Sequence, residues 1–482
     1  VMITATALPA CRVQSREQSS RVLTRVAYGP EAWTKSRLAV LGPADFIEEQ
    51  LHPETIDDGD VEALIDAYPT QSMDLGDLDA NYNWYGMMGS WWDILRQTQK
   101  AKVLRAVYSH RQLEAILTDF WFNHFNVDAG MQTARFDIVP YVRDVIRPNV
   151  LGSFEDLLVA VAKSPAMLDF LDNAVSTADG FAYHGETLGL NENYARELME
   201  LHTLGVDGPY DEDDVIEVAR AFSGWTIDPL LSAPGGFRFH ERAHDYGEKV
   251  VFGGDLILPE GWGVEDGEEV LAYLAHHPKT ADHLCRKLIA RFVNEDVPEG
   301  LAEDCVATWT ATGGDLREVM REILFSNAFL LDEERNKVKR PLFFAASLIR
   351  AMDVESLTDD QLGDVVSQIG ALGEDLYRAA PPTGYPESSA FWSASNGMLG
   401  RINLVHRWTR SWARLDAQWS VACGESEHLV DEHLAHLISG PVSEENRADL
   451  IAFVDTLYQR NEETRVGEAA SMVLMSPEFM VH

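Results

Sequence analysis

The sequence predicts a mainly α fold, a large multi-helix globular protein with a small β-hairpin insertion near residues 237–254. Apolar residues recur at helical spacing along most of the chain, and Gly or Pro ends many of these stretches. Residues 237–254 differ, because apolar and polar side chains alternate there between glycine-rich ends. Together these patterns predict helices nearly throughout, with one short β element.

The length of the chain predicts two packed lobes. Its 482 residues, of which 46% are hydrophobic, can bury a large core and exceed the usual size of one domain. We therefore predict a tail or signal remnant at 1–17 and an N-terminal helical lobe at 18–260, which contains the central motif and the hairpin. A C-terminal helical lobe at 261–482 follows.

The N-terminal helices are predicted from periodicity and from its interruptions. From 15 to 66 the chain has the pattern of short helices separated by Gly29-Pro30 and Gly42-Pro43, since both pairs interrupt helical geometry. Residues 103–125 keep one apolar face over several turns, so His124 on that face is expected to point inward. The face consists of Leu113, Ile116, Leu117, Phe120, Trp121 and His124.

The segment "NENYARELMELHTLGVDG", residues 191–208, predicts a capped helix that is rich in charged side chains. An asparagine at its start can cap the helix, and Gly205 suits the residue that follows a helix end. A projection at 100° per residue centres the apolar arc near His202 and places Glu197 at its border. We therefore expect His202 to be buried and Glu197 to face the edge of a pocket.

The remaining elements follow from similar patterns. The loop at 174–190 lacks helical periodicity and directly precedes the motif, and long loops in compact proteins often border a site. A helix with an aspartate cap is predicted next, and the chain is helical again from 266 to 351. A loop rich in Pro, Gly and Trp spans 379–397, and a long helix at 398–414 precedes the C-terminal helices.

The charge balance bears on the class of partner. The chain has 78 acidic and 39 basic residues, which gives a formal net charge of -39, and nine of the bases are lysine. Such a surface repels phosphates, so nucleic acid is not expected as a partner. The chain contains no apolar run near the roughly eighteen residues that a membrane-spanning helix requires, so no membrane span is predicted.

The cysteines and the N-terminus bear on location. Cys11, Cys285, Cys305 and Cys423 show no CxxC spacing, which argues against a structural zinc site. Cys285 and Cys305 flank two successive predicted helices, so either a disulfide in an exported protein or two separate buried thiols fits the spacing. The start "VMITATALPACRVQ" is similar to the end of an export signal but lacks a basic region. We expect a periplasmic or secreted protein.

Several long motifs extend from about residue 18 to 481: "FWFNHFNV", "SPAMLDFLDN", "NENYARELMELHTLGVDGPYDEDDVIEVARAFSGWTI", "HDYGEK", "RKLIARFV", "PPTGYP" followed by "FW", and "SPEF". Together they resemble the bacterial family known as domain of unknown function 1800. The resemblance implies an exported bacterial protein. It also implies a possible partner from a second exported family related to sulfatases and phosphatases, because genes of the two families are often neighbours.

The candidate site combines imidazoles and carboxylates from these motifs. Buried His residues beside a carboxylate supply the ligands that Zn, Fe or Mn accept, and they can equally serve as an acid/base pair without metal. No HExxH pattern is present, so a metal would need ligands from several elements. The catalytic set is Glu197, His202, His124, Arg196 and Lys249, and the metal set is His124, His202, His244, Asp245 and Glu197.

Two functions fit this site. One is a hydrolase or lyase on a polymeric, glycan-like substrate, with the aromatic stretch "NYNWYGMMGSWWDIL" at 81–95 offering stacking surfaces. The alternative is a non-catalytic cell-surface or assembly protein in which the motif is a structural clamp, with Arg196 bridging Glu192, Glu200 or Asp214. The absence of GxSxG and of phosphate-binding glycine motifs disfavours a serine hydrolase and a nucleotide site.

Overall fold

The structure, a computed structural model, confirms the predicted mainly α class. It describes residues 17–82, 88–131, 134–183, 186–229, 234–331, 337–411 and 425–482. The helices of the first half are α1 (17–25), α2 (Ala32–Leu41), α3 (Pro43–Gln50), α4 (Gly59–Ile65), α5 (Leu75–Tyr82), α6 (Trp91–Tyr108), α7 (Gln112–His124), α8 (Ala134–Pro140), α9 (Phe154–Ala162), α10 (Pro165–Phe170), α11 (Asn193–Glu197) and α12 (Glu212–Phe222).

The second half continues with helices that are mostly longer. They are α13 (Val264–His276), α14 (Pro278–Phe292), α15 (Glu299–Thr312), α16 (Leu316–Phe325), α17 (Asn327–Leu331), α18 (Pro341–Ala351), α19 (Asp359–Ala371), α20 (Ser389–Trp392), α21 (Ser395–Ser411), α22 (Ser426–Leu437), α23 (Glu444–Thr456), α24 (Glu462–Leu474) and α25 (Pro477–Met480). Wider π turns occur at Tyr141–Ile146 and Leu198–His202, and 3-10 turns at Pro53–Thr55, Pro69–Ser72, Arg147–Asn149, Asn173–Val175, Glu241–Ala243 and Phe252–Gly254.

The β structure in the described part of the chain consists of three small antiparallel pairs. Each pair forms its own two-stranded sheet. The strands are β1 (Ala182–Tyr183) with β2 (Glu186–Thr187), β3 (Trp225–Pro229) with β4 (Pro234–Phe239), and β5 (Lys249–Val251) with β6 (Leu256–Leu258).

The predicted β element near 237–254 overlaps two of these pairs, since that range contains part of β4 and all of β5. The glycines at the end of this range explain why it does not form a single hairpin. Gly253 and Gly254 have φ angles of 63° and 103°, a left-handed conformation that favours glycine, and they form the turn between β5 and β6. These two glycines thus lie in the turn of the β5–β6 pair and not at the end of a hairpin.

The helical pattern at 103–125 belongs to two helices. Ser109 is extended and ends α6, and the Asp58 carboxylate accepts hydrogen bonds from its hydroxyl and from the His110 N–H, both at 2.7 Å. The side chain of Gln112 then donates to the Ser109 carbonyl at 2.7 Å and begins α7. The six residues of the predicted apolar face all lie on α7 and are buried, as expected.

One hydrophobic core extends through the described parts of both predicted lobes. In it, α6 packs against α18 and α19, and α13 packs against α9 and α12. The division at residue 260 stays a prediction. No helix in the described ranges has both the length and the hydropathy that crossing a membrane would require.

A disulfide joins Cys285 of α14 to Cys305 of α15, with a Cα–Cα distance of 5.9 Å. Of the two interpretations that the spacing left open, the structure has the disulfide. Cys11 and Cys423 lie outside the described residues.

Candidate functional site

The central motif folds as α11 continued by the π turn Leu198–His202. The predicted asparagine cap is wrong, because the N-cap residue is Glu192 and its side chain makes no capping hydrogen bond. The Asn191 side chain accepts a hydrogen bond from the Asn193 N–H at 3.0 Å one residue earlier. His202 is only 1% exposed, which confirms its predicted burial. Turns of the π type occur often at functional sites, so this one draws attention to the residues around it.

His124 connects the motif to α14. Its Nε2 lies 3.1 Å from the carbonyl oxygen of His202, and its Nδ1 lies 2.8 Å from Nζ of Lys287. A carbonyl oxygen can only accept a hydrogen bond, so Nε2 carries the proton and Nδ1 accepts from Lys287. The contact with the motif thus sets the His124 tautomer that faces the lysine.

Burial shifts the proton affinities of this group. It lowers the pKa of Lys287 to about 8, because the charged ammonium is poorly solvated there. Burial first and the Lys287 charge second lower the pKa of His202 to about 3, and they lower the pKa of His124 well below its usual value. At neutral pH the imidazoles are therefore neutral, and Lys287 is the group that titrates near physiological pH.

An open cavity of about 180 Å³ gives solvent access to this cluster. His283 forms part of the cavity wall. Its ring hydrogen-bonds to the backbone of Leu201, and burial is the main reason that its pKa is lowered to about 4. Within the described ranges, His283 Nε2 and His202 Nε2 are buried and have no hydrogen-bond partner. The residues that line the cavity include His124, Glu200, Lys279, His283, Lys287 and Thr383.

Gly205 fits against the ring of His283. Its φ angle of 85° is left-handed, and a Cβ at this position would lie 3.0 Å from Nδ1 of His283. A side chain here would therefore be both strained and crowded. This glycine of the motif lies three residues beyond the end of the π turn at His202 and leaves room for the imidazole.

Sequence reasoning missed the contribution of α14. Lys279, His283 and Lys287 are spaced four residues apart, so they share one face of this helix, and all three line the cavity. Their signal was the i, i+4, i+8 spacing. It was obscured because a polar stripe on an amphipathic helix normally faces solvent.

His244 and Lys249 belong to a second buried cluster. Nζ of Lys249 donates to Asp266 at 2.6 Å and to the carbonyl oxygens of Asp245 and Gly247 at 2.6 and 3.0 Å. Nε2 of His244 lies 3.1 Å from the same Asp266 carboxylate. The side chains of His244, Lys249 and Asp266 are all 0% exposed, so this cluster is closed to solvent.

The two clusters separate the residues that were predicted to form one site. Neither His244 nor Lys249 lines the His124 cavity, and Asp245 is paired with Arg220 at 2.9 Å. Among the residues that the structure describes, no group of three or more His, Cys, Asp or Glu side chains is arranged to hold a metal ion. The predicted ligands of Zn, Fe or Mn are therefore not gathered into one centre there.

The charged residues of the motif lie outside the cavity or at its edge. Arg196 pairs with Glu192 at 3.3 Å and with Glu212 at 2.6 Å, so its predicted partner Asp214 is replaced by a neighbour in α12. Glu197 is half-buried, and burial followed by the charge of Glu200 raises its pKa. Glu200 lines the cavity and Glu197 does not.

Of three comparisons with known proteins, the one with family models found a match. A search of curated proteins and a search of solved structures found no match. A family model, by contrast, covers nearly the whole chain, including the motif, His124 and α14. The chain belongs to the family described as a protein of unknown function (DUF1800), whose model matches residues 21–481.

Proposed function

We propose that the chain is an enzyme that performs general acid–base chemistry at the His124 cavity, as a hydrolase or lyase on a polymeric, glycan-like substrate. The observation that carries the proposal is the 2.8 Å contact between Lys287 Nζ and His124 Nδ1 beside an open cavity. A catalytic acid or base works best when its pKa lies near the working pH, and Lys287 meets that condition.

The roles follow from the hydrogen-bonding capacity of each group. Neutral Lys287 accepts a proton from the substrate, and its protonated form then stabilises negative charge that develops nearby. His124 holds the lysine through Nδ1.

The lining of the cavity supports a polar substrate of low net charge. Its lining contains two lysines, Lys279 and Lys287, and two carboxylates, Glu200 and Asp207, so the numbers of basic and acidic side chains balance. A volume of about 180 Å³ admits a small polar unit of a polymer rather than the polymer itself. A sugar ring, with several hydroxyls to donate and accept, has the matching chemistry.

Exposed aromatic residues elsewhere support a glycan chain as the larger ligand. Trp91 and Trp92 stack at 3.8 Å between ring centroids, and Trp92 is 40% exposed. The guanidinium of Arg135 lies 3.7 Å from the Trp91 centroid and fixes that ring. Residues 83–87 of the predicted aromatic stretch lie outside the described residues.

The same proposal includes export to the periplasm or beyond. The Cys285–Cys305 disulfide supports it, since disulfides persist in oxidising compartments. The net charge of -39 supports partners other than nucleic acid. A partner from the sulfatase- and phosphatase-related exported family remains part of the proposal.

The test is a glycan screen that separates the two reaction types. Purified protein is incubated with neutral and acidic polysaccharides, and new reducing ends are compared with the ultraviolet absorbance of unsaturated products. Hydrolysis gives the first signal alone, and elimination gives both. The variant Lys287→Met should lower kcat by roughly 10²-fold or more.

Lys163→Met is the matched control, because Lys163 forms a partly exposed ion pair with Glu268 and does not line the cavity. It should leave activity unchanged. Full activity in Lys287→Met would remove this cavity from the mechanism.

The structural alternative also has a specific observation in its favour. Arg196 links Glu192 to Glu212 and so joins the motif to α12. If every glycan in the screen is left intact, this non-catalytic clamp in a cell-surface or assembly protein becomes the better account of the motif.

A further inference from the structure

A second cavity, the Arg147 cavity, lies among α4, α6, α7 and the π turn Tyr141–Ile146. Its volume is about 130 Å³, and since a protein cavity of about 150 Å³ can hold benzene, it suits a ligand of about six non-hydrogen atoms. The exposed residue Asp66 is part of its lining, so the cavity reaches the surface. Among the described residues, none lines both this cavity and the His124 cavity. A ligand here is therefore independent of the proposed catalytic function.

Two buried tyrosines bring unpartnered hydroxyls to this cavity. Tyr28 is 2% exposed and Tyr377 is 5% exposed, and both line it. Neither hydroxyl makes a hydrogen bond in the described part of the chain, and neither belongs to the polar atoms there that are sealed from solvent. Burial first, and the Asp119 charge second, raise the pKa of both tyrosines, so both hydroxyls stay protonated. The cavity thus offers a ligand two hydrogen-bond donors.

Arg147 adds a guanidinium whose charge is only partly compensated. Within the described ranges its ion pair is with Glu62 at 3.8 Å, which is beyond hydrogen-bond distance. Arg105 already donates to both oxygens of Glu62, at 2.6 and 2.9 Å. Burial first and the Arg105 charge second lower the pKa of Arg147, and the carboxylates of Glu62 and Glu114 do not offset this. Because an arginine stays charged, an anion beside it would be stabilised.

The carboxylate at the inner end of the cavity, by contrast, already has cationic partners. Asp119 lies 2.5 Å from Nζ of Lys102 and 3.4 Å from the guanidinium of Arg340. The unsatisfied groups of the wall are therefore donors, namely one guanidinium and two hydroxyls. A ligand that matches them supplies acceptor atoms and a negative charge.

Apolar side chains complete the wall and favour an organic anion. Ile65, Ala115, Val139 and Val142 contribute hydrocarbon groups to the lining. Such groups pack against the carbon chain of a ligand, whereas they would leave the outer oxygens of phosphate without hydrogen bonds. Val142 also belongs to the π turn, and turns of this type occur often at functional sites.

We propose that the Arg147 cavity binds a short organic acid, with its carboxylate held by the guanidinium of Arg147 and the hydroxyl of Tyr377 and its carbon chain against the apolar side chains. Tyr377 is the tyrosine on which the charge of Arg147 acts. The Tyr28 hydroxyl is available to a second polar group on the acid.

Titration calorimetry on the full chain tests the ligand class. Butyrate is the probe, and butyramide is the neutral control, since it keeps the size and carbon chain of butyrate and removes the charge. Phosphate tests for a site that accepts inorganic oxyanions. We expect butyrate to bind and butyramide to bind at least about tenfold more weakly, because a charged hydrogen bond is lost. Lack of butyrate binding, equal binding of butyramide, or tighter binding of phosphate would overturn the proposal.

Two variants locate the binding. Arg147→Gln removes a guanidinium that makes no hydrogen bond in the described part of the chain, so the fold should be retained, and butyrate affinity should fall by at least about tenfold. Tyr377→Phe keeps the ring and removes a hydroxyl without a partner, and affinity should fall roughly fivefold to tenfold.

Arg96→Gln is the matched control. Like Arg147, Arg96 has a long ion pair, at 3.7 Å from Asp93, but it is 66% exposed and lies outside the cavity lining. It should bind butyrate as the unmodified chain does. Unchanged affinity in both Arg147→Gln and Tyr377→Phe would place any bound acid elsewhere and overturn the proposal.

Discussion

Two buried clusters of lysine and histidine in the described part of the chain differ in the partner of the ammonium group and in solvent access. In the Lys249 cluster the ammonium has three oxygen partners and the cluster is closed to solvent. In the His124 cavity, Lys287 contacts an imidazole, two further imidazole nitrogens have no partner among the described residues, and solvent has access. The same residue types thus stabilise the fold at one place and are available for chemistry at the other.

The largest effect should come from breaking the closed cluster. Asp266→Ala leaves the Lys249 ammonium buried without its carboxylate, so the free energy of unfolding should fall by about 3–5 kcal/mol. Denaturant unfolding measures the loss. Asp228→Ala is the control, because its ion pair with Arg238 is about half exposed and should contribute at most about 1 kcal/mol. Equal losses in the two variants would remove the distinction between the clusters.

Removing Lys287, the lysine of the His124 cavity, should instead raise the free energy of unfolding. Burial lowers the pKa of Lys287 from 10.5 to about 8, so charging it in the folded state costs about 3 kcal/mol. Between these pH values the unfolded chain binds more protons, and stability therefore rises with pH. Below about pH 8 the full cost is present.

The expected result is that Lys287→Met is more stable than the unmodified chain at pH 7, and that the difference shrinks as the pH approaches 10.5. Denaturant unfolding of both proteins across this range checks it. A pH-independent difference would mean that Lys287 is solvated, and the contrast with Lys249 would lose its basis. Stability gained at the cost of activity is typical of a catalytic residue.

A smaller effect should come from crowding His283. Gly205→Ala combines left-handed strain with a Cβ 3.0 Å from Nδ1 of His283. Gly180→Ala has similar strain, with φ of 79°, and open space around the new Cβ. Thermal unfolding should show a loss of about 1–2 kcal/mol at Gly180 and a larger loss at Gly205. Equal losses would indicate that His283 moves freely and is not held by the motif.

The smallest effect is expected at Arg196, the central residue of the alternative structural clamp. Arg196→Ala removes ion pairs whose side chains are 37–62% exposed, so the free energy of unfolding should change by less than about 1 kcal/mol. A loss of several kcal/mol would instead support the structural alternative. Thermal unfolding in low and in high salt distinguishes these outcomes, because salt screening weakens an exposed ion pair.

Local periodicity predicted the burial of His124 and His202, because each lies on an apolar helix face of its own. It did not predict their neighbours. Lys287 follows His124 by 163 residues, and Asp266 follows Lys249 by 17, and pattern reasoning along one element contains no information on such contacts. The prediction grouped His244 with His124 because of its residue type, whereas in the structure His244 contacts Asp266.

The Cys285–Cys305 bond has a practical consequence for how the protein is made. Cys285 lies between His283 and Lys287 in α14, so the bond fixes the helix that supplies three of the residues lining the cavity. Protein produced in a reducing host cytosol would lack this tether. Material for substrate screening should therefore come from an oxidising secretory route, with free thiols quantified beforehand, so that an inactive preparation is not mistaken for an inactive protein.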